Sequence, residues 1–348
     1  MRSEKLEIMN YKLNKTSVVI LNYNGVKLMQ KYLPTVIENT AGAEIIVADN
    51  GSTDGSVEWL REEYPTLRLI ALDKNYGFAD GYNMALKQVN AEYYVLLNSD
   101  IRTPKGWLEP LIDYMQSHQE CAACQPKIRS EHEPEKFEYA GAAGGFIDAY
   151  GYPFCRGRIM SNIETDNGQY DTIQEIFWAT GASLVIRSKE YWDAGGLDGR
   201  FFAHQEEIDL CWRLKARGKS IVCVPQSAVF HVGGGSLGYE SPFKTRLNFR
   251  NNALLLYKNL NNDRYWWTYL FRLLLDWVAA LQMLAQGKPR NAWAVIEAQI
   301  EFIKLFREFK ADRKKNLSLT KEKKPSGLLN FWLIWQVYIN KKQKYSDL

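Results

Sequence analysis

The stretch TSVVILNY, residues 16–23, is rich in β-branched and aliphatic side chains and is followed directly by Asn24-Gly25. A run of this length and composition is typical of a strand that is buried on both faces, as in a parallel sheet. Residues 26–39 follow with helical spacing, and AEIIVADN (43–50) repeats the strand pattern. The start of the chain therefore predicts a strand-helix-strand unit, the building block of α/β proteins.

The same alternation continues to residue 100. Residues 51–64 and 77–89 are predicted helices, and residues 67–75 and 92–100 are predicted strands. Right-handed crossovers between such strands give a mostly parallel sheet, and ligands bind beyond the carboxyl ends of its strands. The predicted strand ends carry polar side chains that we expect to face one cleft: Asn22, Asn24, Asp49, Asp73, Asn75 and Asp100.

The pattern changes twice further along the chain. It loosens between about 125 and 175, and recovers with a predicted helix at 206–218 and strands within 220–236. Beyond that region the sequence predicts long helices at 246–260, 265–286 and 290–312, and a short aromatic helix at 327–340. We therefore predict an α/β domain over 1–245 and a helical extension over 246–348.

The bulk composition excludes some classes of protein. The chain has 348 residues, of which 46% are hydrophobic, and its 44 basic residues nearly balance its 40 acidic ones. This balance does not indicate a nucleic-acid-binding protein. The five cysteines are too few and scattered for a disulfide framework, so we expect a cytoplasmic location. We expect no signal peptide and no uninterrupted apolar stretch of the roughly 20 residues that span a bilayer.

The strand at 92–100 stops on Asn98-Ser99-Asp100, and this position leaves two interpretations open. Asp100 could be an ordinary turn residue before Thr103-Pro104. A carboxylate held at a strand end is also well placed to bind a hard cation such as Mg²⁺ or Mn²⁺. Because Asn98 is an amide rather than a second acid, a cation here would be held by few protein carboxylates.

The segment FFAHQEEIDLCWR, residues 201–213, carries three acids within four positions. On a helix Glu206 and Asp209 share a face, whereas Glu207 points elsewhere. One interpretation is an acidic first turn that complements the helix dipole. The aromatic pair just before the acids favours burial, and buried acids tend to be functional.

Two further positions leave alternatives open. Asp49 could accept a hydrogen bond from a nucleobase, or it could cap the turn that begins at Gly51. His231 lies between Phe230 and the glycine run 233–235. A lone histidine after a strand is usually structural, but the glycines would let the backbone approach a diphosphate closely.

Seven stretches together resemble one family: VVILNYNG, IIVADNGSTDGS, NYGFADGYN, LLNSD, WATGASLVIR, GGLDGRFFAHQEEIDLCWR and VFHVGGGS. In this order they are similar to family 2 glycosyltransferases, and most of all to the bacterial rhamnosyltransferase-like branch that builds surface polysaccharides. The resemblance covers about residues 16–236. It implies a GT-A fold, a nucleotide-diphosphate sugar donor such as dTDP-rhamnose or a UDP-sugar, and inversion at the anomeric carbon.

The resemblance also implies roles for single residues around the donor. Asp100 matches the last acid of the family's D-x-D motif, which binds a divalent metal, Mg²⁺ or Mn²⁺, and His231 matches a histidine that completes the metal shell. Asp49 would bind the base. The remaining residues expected at the donor are Asn22, Asn24, Asn75, Gly77, Asn83 and Ser99.

The general base is expected in the acidic segment. Glu207 matches the second acid of the family's E-D pair, although aspartate is more usual there, and this leaves Glu206 as a rival. Asp209 is expected to support the helix start and the acceptor wall. Trp178 and Gly181 would line the junction of donor and acceptor.

The helical extension suggests contact with a surface. In YWWTYLFRLLLDWVAALQMLAQ, residues 265–286, aromatic and leucine side chains are dense, but Arg272 and Asp276 interrupt them. This composition suits a helix that lies in a membrane interface, and the basic segment 310–324 suits anionic lipid. Packing against the α/β domain or against a second copy in a homodimer is the alternative. The acceptor would then be a glycan or a lipid-linked sugar.

Two other classes of function use similar features. A sugar-nucleotide nucleotidyltransferase also places acids on Mg²⁺ above an α/β sheet, but it would carry a glycine-rich loop with a basic residue after the first strand, where this chain has Asn22-Tyr-Asn-Gly25. A non-catalytic module that binds nucleotide sugars would not need the Glu206–Glu207 pair. The glycosyltransferase prediction uses all of these features.

Overall fold

The computed structural model describes residues 13–233 and 241–348. Its first part is the predicted alternation of strands and helices. The elements are β1 (Thr16–Asn22), α1 (Val26–Asn39), β2 (Glu44–Asp49), α2 (Ser56–Glu63), β3 (Arg68–Ala71), α3 (Gly77–Leu86) and β4 (Tyr93–Asn98). The four strands pair in parallel in the order β3-β2-β1-β4, so their carboxyl ends meet at one edge.

The chain then completes the main sheet and adds a small second one. The elements are β5 (Ile101–Arg102), α4 (Glu109–Ser117), β6 (Cys121–Ser130), β7 (Gly145–Asp148), β8 (Pro153–Cys155), β9 (Arg158–Ile159), β10 (Asn162–Ile163), β11 (Gln174–Glu175), β12 (Ser183–Arg187), α5 (Ser188–Ala194), α6 (Glu206–Ala216) and β13 (Ser220–His231). The main sheet has nine strands in the order β11-β13-β6-β12-β4-β1-β2-β3, with β5 paired to β13.

The predicted α/β class is confirmed, but the sheet is mixed rather than mostly parallel. β12 runs antiparallel to both β4 and β6. The short β5 also runs antiparallel to β13 and sets His231 opposite Ile101. This pairing brings the end of β13 next to Asp100, which no local pattern in the sequence indicates.

The C-terminal helices are present, and they pack as part of the same core. They are α7 (Pro242–Asn259), α8 (Asn262–Ala285), α9 (Pro289–Leu305), α10 (Lys310–Leu319) and α11 (Leu333–Tyr338), with a short strand β14 (Leu328–Leu329). The predicted boundary between 245 and 246 falls inside α7. Buried side chains of α7 and α9 belong to the same apolar cluster as those of β1 and β4, and β14 pairs with β7.

Within the described residues, α8 is the single helix long and apolar enough by length and composition to cross a membrane, with a mean hydropathy of 1.3. Arg272 and Asp276 interrupt this helix, so it meets a criterion of length and composition without being the uninterrupted apolar stretch whose absence was expected. The predicted glycine run after His231 extends into 234–240, and the expectation about a signal peptide concerns 1–12; both ranges lie outside the described residues.

Candidate active site

The ends of β1 and β2 are joined by side-chain hydrogen bonds. Asn22 Nδ2 donates to Asp49 Oδ2 at 2.8 Å, and Asp49 Oδ1 accepts from the backbone N–H of Ser52 at 2.8 Å. Asn24, with a φ of 49°, accepts from the Thr53 N–H at 2.8 Å. Asp49 therefore does cap the turn after β2, and its predicted contact with a nucleobase stays a prediction.

A small unfilled space remains beside these strand ends. The Asn22 Oδ1 atom is buried and has no hydrogen-bond partner in the part of the chain that the structure describes. A Cβ atom added to Gly25 would lie 2.6 Å from that oxygen and 3.6 Å from Ser99 Oγ. Gly25 thus keeps an opening that Asn22 and Ser99 border, and the orphaned oxygen gives a ligand donor a partner there.

Three residues predicted at the donor have other partners in the structure. Asn75 Oδ1 accepts from Asn50 Nδ2 at 3.1 Å and from the Gly77 N–H at 2.8 Å, which shapes the loop before α3. Asn83 Oδ1 accepts from the Tyr191 hydroxyl at 2.7 Å, and its Nδ2 donates to the Leu197 carbonyl at 2.7 Å. These contacts tie Asn83 to α5 and to the segment after it, and its predicted place in a donor pocket stays a prediction.

The structure brings Asp100 and His231 together and adds a third residue. Asp100 Oδ1 lies 3.1 Å from His231 Nε2, and His231 Nδ1 lies 3.3 Å from Glu138 Oε2. All three side chains are buried. Glu138 was not predicted, because it lies in the irregular segment between β6 and β7, where no local pattern marks it.

The charges of this trio support one another. Burial disfavours a charged imidazole, but the carboxylates of Asp100 and Glu138 outweigh it and raise the pKa of His231 to about 10. Burial would likewise raise the pKa of Asp100, yet the hydrogen bond and charge of His231 hold it below its ordinary value. Asp100 is thus an ionised carboxylate in a buried position.

Asp100 Oδ1 and His231 Nε2 share a hydrogen bond in this structure, and they could hold a divalent cation together once the imidazole gives up the proton between them. Adjacent ligands at about 2.1 Å from an octahedral Mg²⁺ are about 3 Å apart, close to the separation of Asp100 Oδ1 and His231 Nε2. Across residues 13–233 and 241–348 no group of three or more His, Cys, Asp or Glu side chains has a metal-holding arrangement. Asn98 Nδ2, 3.4 Å from His231 Nε2, is an amide where another acid could have stood.

The acidic pair lies on the first turn of α6 beside Gly181. A Cβ added to Gly181 would lie 3.0 Å from the Phe78 ring and 4.0 Å from Glu207 Cβ. Glu206 is buried and Glu207 is partly buried, and the Oε2 atom of each has no hydrogen-bond partner among residues 13–233 and 241–348. Two carboxylate oxygens without partners at one position indicate a site for a ligand with hydroxyl or N–H groups.

Burial raises the pKa of both glutamates above that of an ordinary carboxyl group. It raises the pKa of Glu207 to about 7. It also raises the pKa of Glu206 well above the ordinary value, and the charge of Glu207 adds to this effect. Glu207 is therefore poised near neutral pH, as a general base needs to be, while the coupled Glu206 favours its protonated form.

Asp209 has a structural role. Its Oδ2 accepts from Lys258 Nζ at 2.8 Å and from Arg213 Nε at 2.9 Å, and its Oδ1 accepts from Asn259 Nδ2 at 2.7 Å. Although burial would raise it, the charges of Arg213 and Lys258 hold the pKa of Asp209 below its ordinary value. These bonds fasten α6 to α7, which agrees with the predicted support of the helix start and leaves no free oxygen for an acceptor.

Trp178 is buried as well. Its Nε1 donates to the Phe146 carbonyl at 2.9 Å, and its ring lies flat against Gly145, where an added Cβ would come within 2.0 Å of it. The predicted place of Trp178 at the donor–acceptor junction is therefore one layer behind the surface.

The backbone before Glu206 adopts an unusual conformation. Phe202, His204 and Gln205 have φ values of 65°, 71° and 71°, in the left-handed region that non-glycine residues seldom occupy. His204 Nε2 is buried and finds no hydrogen-bond partner among the described residues, and burial together with Lys244 lowers the pKa of His204 to about 4. His204 is therefore a neutral imidazole next to the glutamates.

Helix α7 holds this loop in place. Asn251 Nδ2 donates to the carbonyls of Phe201, Ala203 and His204 at 3.0, 2.9 and 2.7 Å. Gln205 is held from the same helix, since its Oε1 accepts from Asn252 Nδ2 at 3.2 Å. The helical extension thus shapes the segment that carries the predicted base, a link that the sequence does not reveal because α7 is more than thirty residues away.

Residues 17–176 match the family model described as glycosyl transferase family 2. The chain is similar to this family over that segment. The glycosyltransferase is 24% identical over 286 residues to the N-acetylglucosaminyl-diphospho-decaprenol L-rhamnosyltransferase of Mycobacterium tuberculosis, an alignment that covers 76% of this chain and 90% of that protein. The resemblance to the rhamnosyltransferase-like branch is thereby confirmed, and glycosyl transfer is favoured over the nucleotidyltransferase and binding-module alternatives.

Solved structures share the fold. The crystal structure of GalNAc-T7 with UDP, GalNAc and Mn²⁺ matches with a TM-score of 0.59 at 15% identity, over 94% of this chain and 56% of that one. The mannosyltransferase PcManGT of Pyrobaculum calidifontis, in complex with GDP-Man and Mn²⁺, matches with a TM-score of 0.52 at 14% identity, over 88% of this chain and 85% of that one. The predicted GT-A fold is confirmed.

The contacts of Asn251 lead to a first prediction about the glycosyltransferase. Replacing Asn251 by alanine should lower kcat by roughly 100-fold, because the loop before Glu206 loses its anchor and a misplacement of about 1 Å costs this much. The donor KM should change little. Steady-state kinetics with varied donor would measure both.

A matched control separates positioning from general stability. Asn291 Nδ2 donates to Thr245 Oγ1 at 2.9 Å, so Asn291→Ala also weakens the packing of α9 on α7 without touching the loop. We expect near-normal kcat for it. For Asn251→Ala we also expect the pH at which activity rises to shift, since the surroundings of Glu207 change. An unchanged pH profile, with only a lower melting temperature, would show that Asn251 is merely structural.

The raised pKa of Glu207 predicts a pH dependence of stability. A carboxyl whose pKa is about 7 in the folded state and 4.5 when unfolded stabilises the fold fully below pH 4.5, and this contribution is lost as the pH rises to about 7. The loss amounts to about 3 kcal/mol. Glu207→Gln should therefore gain in unfolding free energy over the wild type between pH 5 and pH 8, measured by urea denaturation. The exposed control Glu58→Gln should show no such trend, and a parallel pH profile for Glu207→Gln would contradict the raised pKa.

Proposed function

We propose that the chain transfers a sugar from a nucleotide-diphosphate donor to a hydroxyl group of a glycan or lipid-linked acceptor, with inversion at the anomeric carbon, in the synthesis of cell-surface polysaccharide. The observation that carries this proposal is Glu207, whose carboxylate has an unpartnered oxygen and a pKa of about 7. The similarity to a rhamnosyltransferase that is named for a lipid-linked acceptor supports it.

Inversion needs one displacement and one proton acceptor. The acceptor hydroxyl attacks the anomeric carbon as the bond to the diphosphate breaks, and Glu207 takes the hydroxyl proton in the same step. The bond from carbon to the acceptor oxygen forms while the electron pair of the broken bond leaves with the nucleoside diphosphate. Glu206, in its protonated form, can donate a hydrogen bond to a neighbouring acceptor oxygen, and no covalent intermediate on the protein is required.

The negative charge on the leaving diphosphate would be neutralised at Asp100 and His231. Asp100 and His231 would hold Mg²⁺ or Mn²⁺, which supplies a positive charge to the leaving group. Two structural neighbours are complexes of Mn²⁺ with UDP or GDP-Man, which supports a divalent cation and a nucleotide donor here. The nucleoside would lie at the ends of β1 and β2, where Asn22 Oδ1 and Ser99 border the open space beside Gly25.

The experiment that tests the proposal follows both binding and stereochemistry. Thermal-shift screening against dTDP-, UDP- and GDP-sugars with Mn²⁺ should select one nucleotide, with no shift when the metal is chelated. The product of the selected donor should have the anomeric configuration opposite to that of the donor, as read by proton NMR. Retention of configuration would contradict the role of Glu207, and a stabilising nucleotide without any transfer would favour a binding module.

We also propose a cytoplasmic protein in peripheral contact with the inner face of the cytoplasmic membrane, where a lipid-linked acceptor would be met. The exposed apolar side of α8 supports this contact. A homodimer through the same helices is the competing arrangement.

A further inference from the structure

Helix α8 turns its polar face toward the protein interior and its apolar face toward the outside. The residues that it buries include Tyr265, Thr268, Arg272 and Asp276. Its opposite face exposes eight large apolar side chains: Trp266, Trp267, Leu270, Leu274, Trp277, Val278, Leu281 and Leu284. A helix of a water-soluble protein normally turns the apolar face inward, so this arrangement needs a covering surface.

The buried polar face is firmly attached to the catalytic region. The Arg272 guanidinium lies 3.7 Å from the centre of the Tyr152 ring, and its Nη1 donates to the Tyr150 carbonyl at 3.2 Å. Asp276 Oδ2 accepts from Gln299 Nε2 of α9 at 2.8 Å. Because these contacts fix one side of α8 to the protein, the helix is suited to lie along a surface rather than to cross a bilayer.

The exposed apolar face is long and is rich in tryptophan. The fractional exposure is 79% for Trp267, 59% for Leu274 and 64% for Leu281. The eight side chains extend along most of a helix of 24 residues, which is about 36 Å long. Tryptophan rings favour the boundary between lipid headgroups and acyl chains.

The neighbouring helix α9 adds apolar side chains bordered by basic ones. Trp293, Ile300 and Ile303 are exposed on it. By helical spacing the exposed Arg290 and Lys304 fall beside this stripe. Apolar side chains flanked by Lys and Arg are the pattern of helices that rest on anionic lipid.

Charge distinguishes a bilayer from a second copy as the covering surface. The segment 310–324 that follows α9 has seven basic residues and two acidic ones. Its Lys310, Lys314, Lys315, Lys321, Lys323 and Lys324 are exposed. In a dimer built on these helices the two basic segments would add like charges to the assembly, whereas an anionic lipid surface attracts each of them.

We propose that the exposed faces of α8 and α9, called here the apolar platform and consisting of the eight α8 side chains with Trp293, Ile300 and Ile303, rest on an anionic bilayer surface in the plane of its headgroups. This deepens the membrane contact of the proposed function by naming the face and the lipid charge. Since α7 lies between the platform and the loop at 202–205, docking also sets the active site at a fixed height above the lipid.

The test measures binding of the full-length chain to vesicles without donor or acceptor, so that its failure is separate from any failure of the catalytic assignment. The chain should co-sediment with phosphatidylglycerol vesicles. Its binding to phosphatidylcholine vesicles should be at least tenfold weaker, and its binding to phosphatidylglycerol vesicles should fall as the salt concentration is raised. The double variant Leu274→Glu/Leu281→Glu should lose at least tenfold of the binding. The matched control Ile173→Glu, at a position that is 43% exposed in the catalytic region, should bind like the wild type.

Further measurements make each outcome decisive. Circular dichroism checks that the double variant folds, and Lys314→Glu/Lys315→Glu on α10 removes basic charge without altering the platform. That second variant should lose the preference for phosphatidylglycerol. If the wild type binds neither vesicle, or if the control loses binding equally, the proposal is overturned. If the wild type is a dimer in sedimentation velocity, and the Leu274→Glu/Leu281→Glu variant becomes a monomer with unchanged vesicle binding, a second copy covers the platform instead.

Discussion

Glu207→Gln is expected to lower kcat by about 10²–10⁴-fold, the range that loss of a general base usually costs, while donor affinity stays close to that of the wild type. The amide keeps the size of the carboxyl but cannot take the acceptor proton. Glu207 Oε2 has no partner within the described residues, so little packing changes with the substitution. Single-turnover transfer and a separate titration of donor binding would measure the two effects.

The matched variant Glu206→Gln distinguishes the two candidates for the base. Glu206 is buried, and its pKa is raised well above the ordinary value by burial and by the charge of Glu207, so it favours the protonated form. Because glutamine resembles a protonated carboxyl, Glu206→Gln should retain most of the turnover. Full activity in Glu207→Gln together with loss in Glu206→Gln would transfer the base assignment to Glu206.

The wild-type pH profile gives an independent reading of the same group. With a pKa of about 7, Glu207 is increasingly ionised as the pH passes through neutrality, so kcat/KM should rise over that interval. The sign is opposite to the effect on stability, because the ionised carboxylate that catalysis needs is the form that burial disfavours. A profile that is flat from pH 5 to pH 9 would contradict this origin of the activity.

Asp100→Ala is expected to abolish the metal-dependent part of donor binding. Asp100 is the one carboxylate 3.1 Å from His231 Nε2, and Asn98 beside it is an amide. Its removal should weaken Mn²⁺-dependent donor binding by more than the roughly 10–100-fold that loss of an outer-shell partner costs. Isothermal titration of the nucleotide sugar with and without Mn²⁺ would measure the difference.

Two companion variants make this result specific. Glu138→Gln leaves Asp100 in place and alters only the second partner of His231, so it should weaken donor binding less than Asp100→Ala does. Asp193→Ala removes an exposed acid that pairs with Lys189 on α5, and it should bind donor like the wild type. Unchanged Mn²⁺ dependence in Asp100→Ala would return Asp100 to the role of a turn residue. Within the described residues Asp100 is the single carboxylate beside His231 Nε2, which also predicts weak Mn²⁺ binding when no donor is present.

Local sequence patterns predicted the structure correctly where a feature depends on one short segment alone. The helix that carries the glutamates begins at Glu206, as its acidic first turn predicts, and the first strand ends within one residue of its predicted end. Strand ends could be placed on one edge because parallel strands share their direction. The pairing of a carboxylate with a histidine followed from the order of family motifs, and the structure puts Asp100 and His231 in contact.

Local patterns do not reveal a partner that comes from a distant segment. Asn83, predicted at the donor, and Asp209, predicted at the helix start and acceptor wall, bond to Tyr191 and to Lys258, which lie 108 and 49 residues away. Their contact with a ligand stays a prediction. Glu138 was missed for the same reason. A polar side chain at a plausible position carries no sign of whether another part of the chain will satisfy it.

By itself, the sequence determined the α/β alternation, the edge at which the strand ends meet, and the chemical types of the site, because hydrophobic periodicity and strand direction are local properties. Only the tertiary structure decided which polar groups remain without partners. Within the described residues it left the Oε2 atoms of Glu206 and Glu207 without partners, and it held their loop with Asn251. It also turned the charged side of α8 inward and the apolar side outward, because burial depends on what each face packs against and not on the residues of the helix alone.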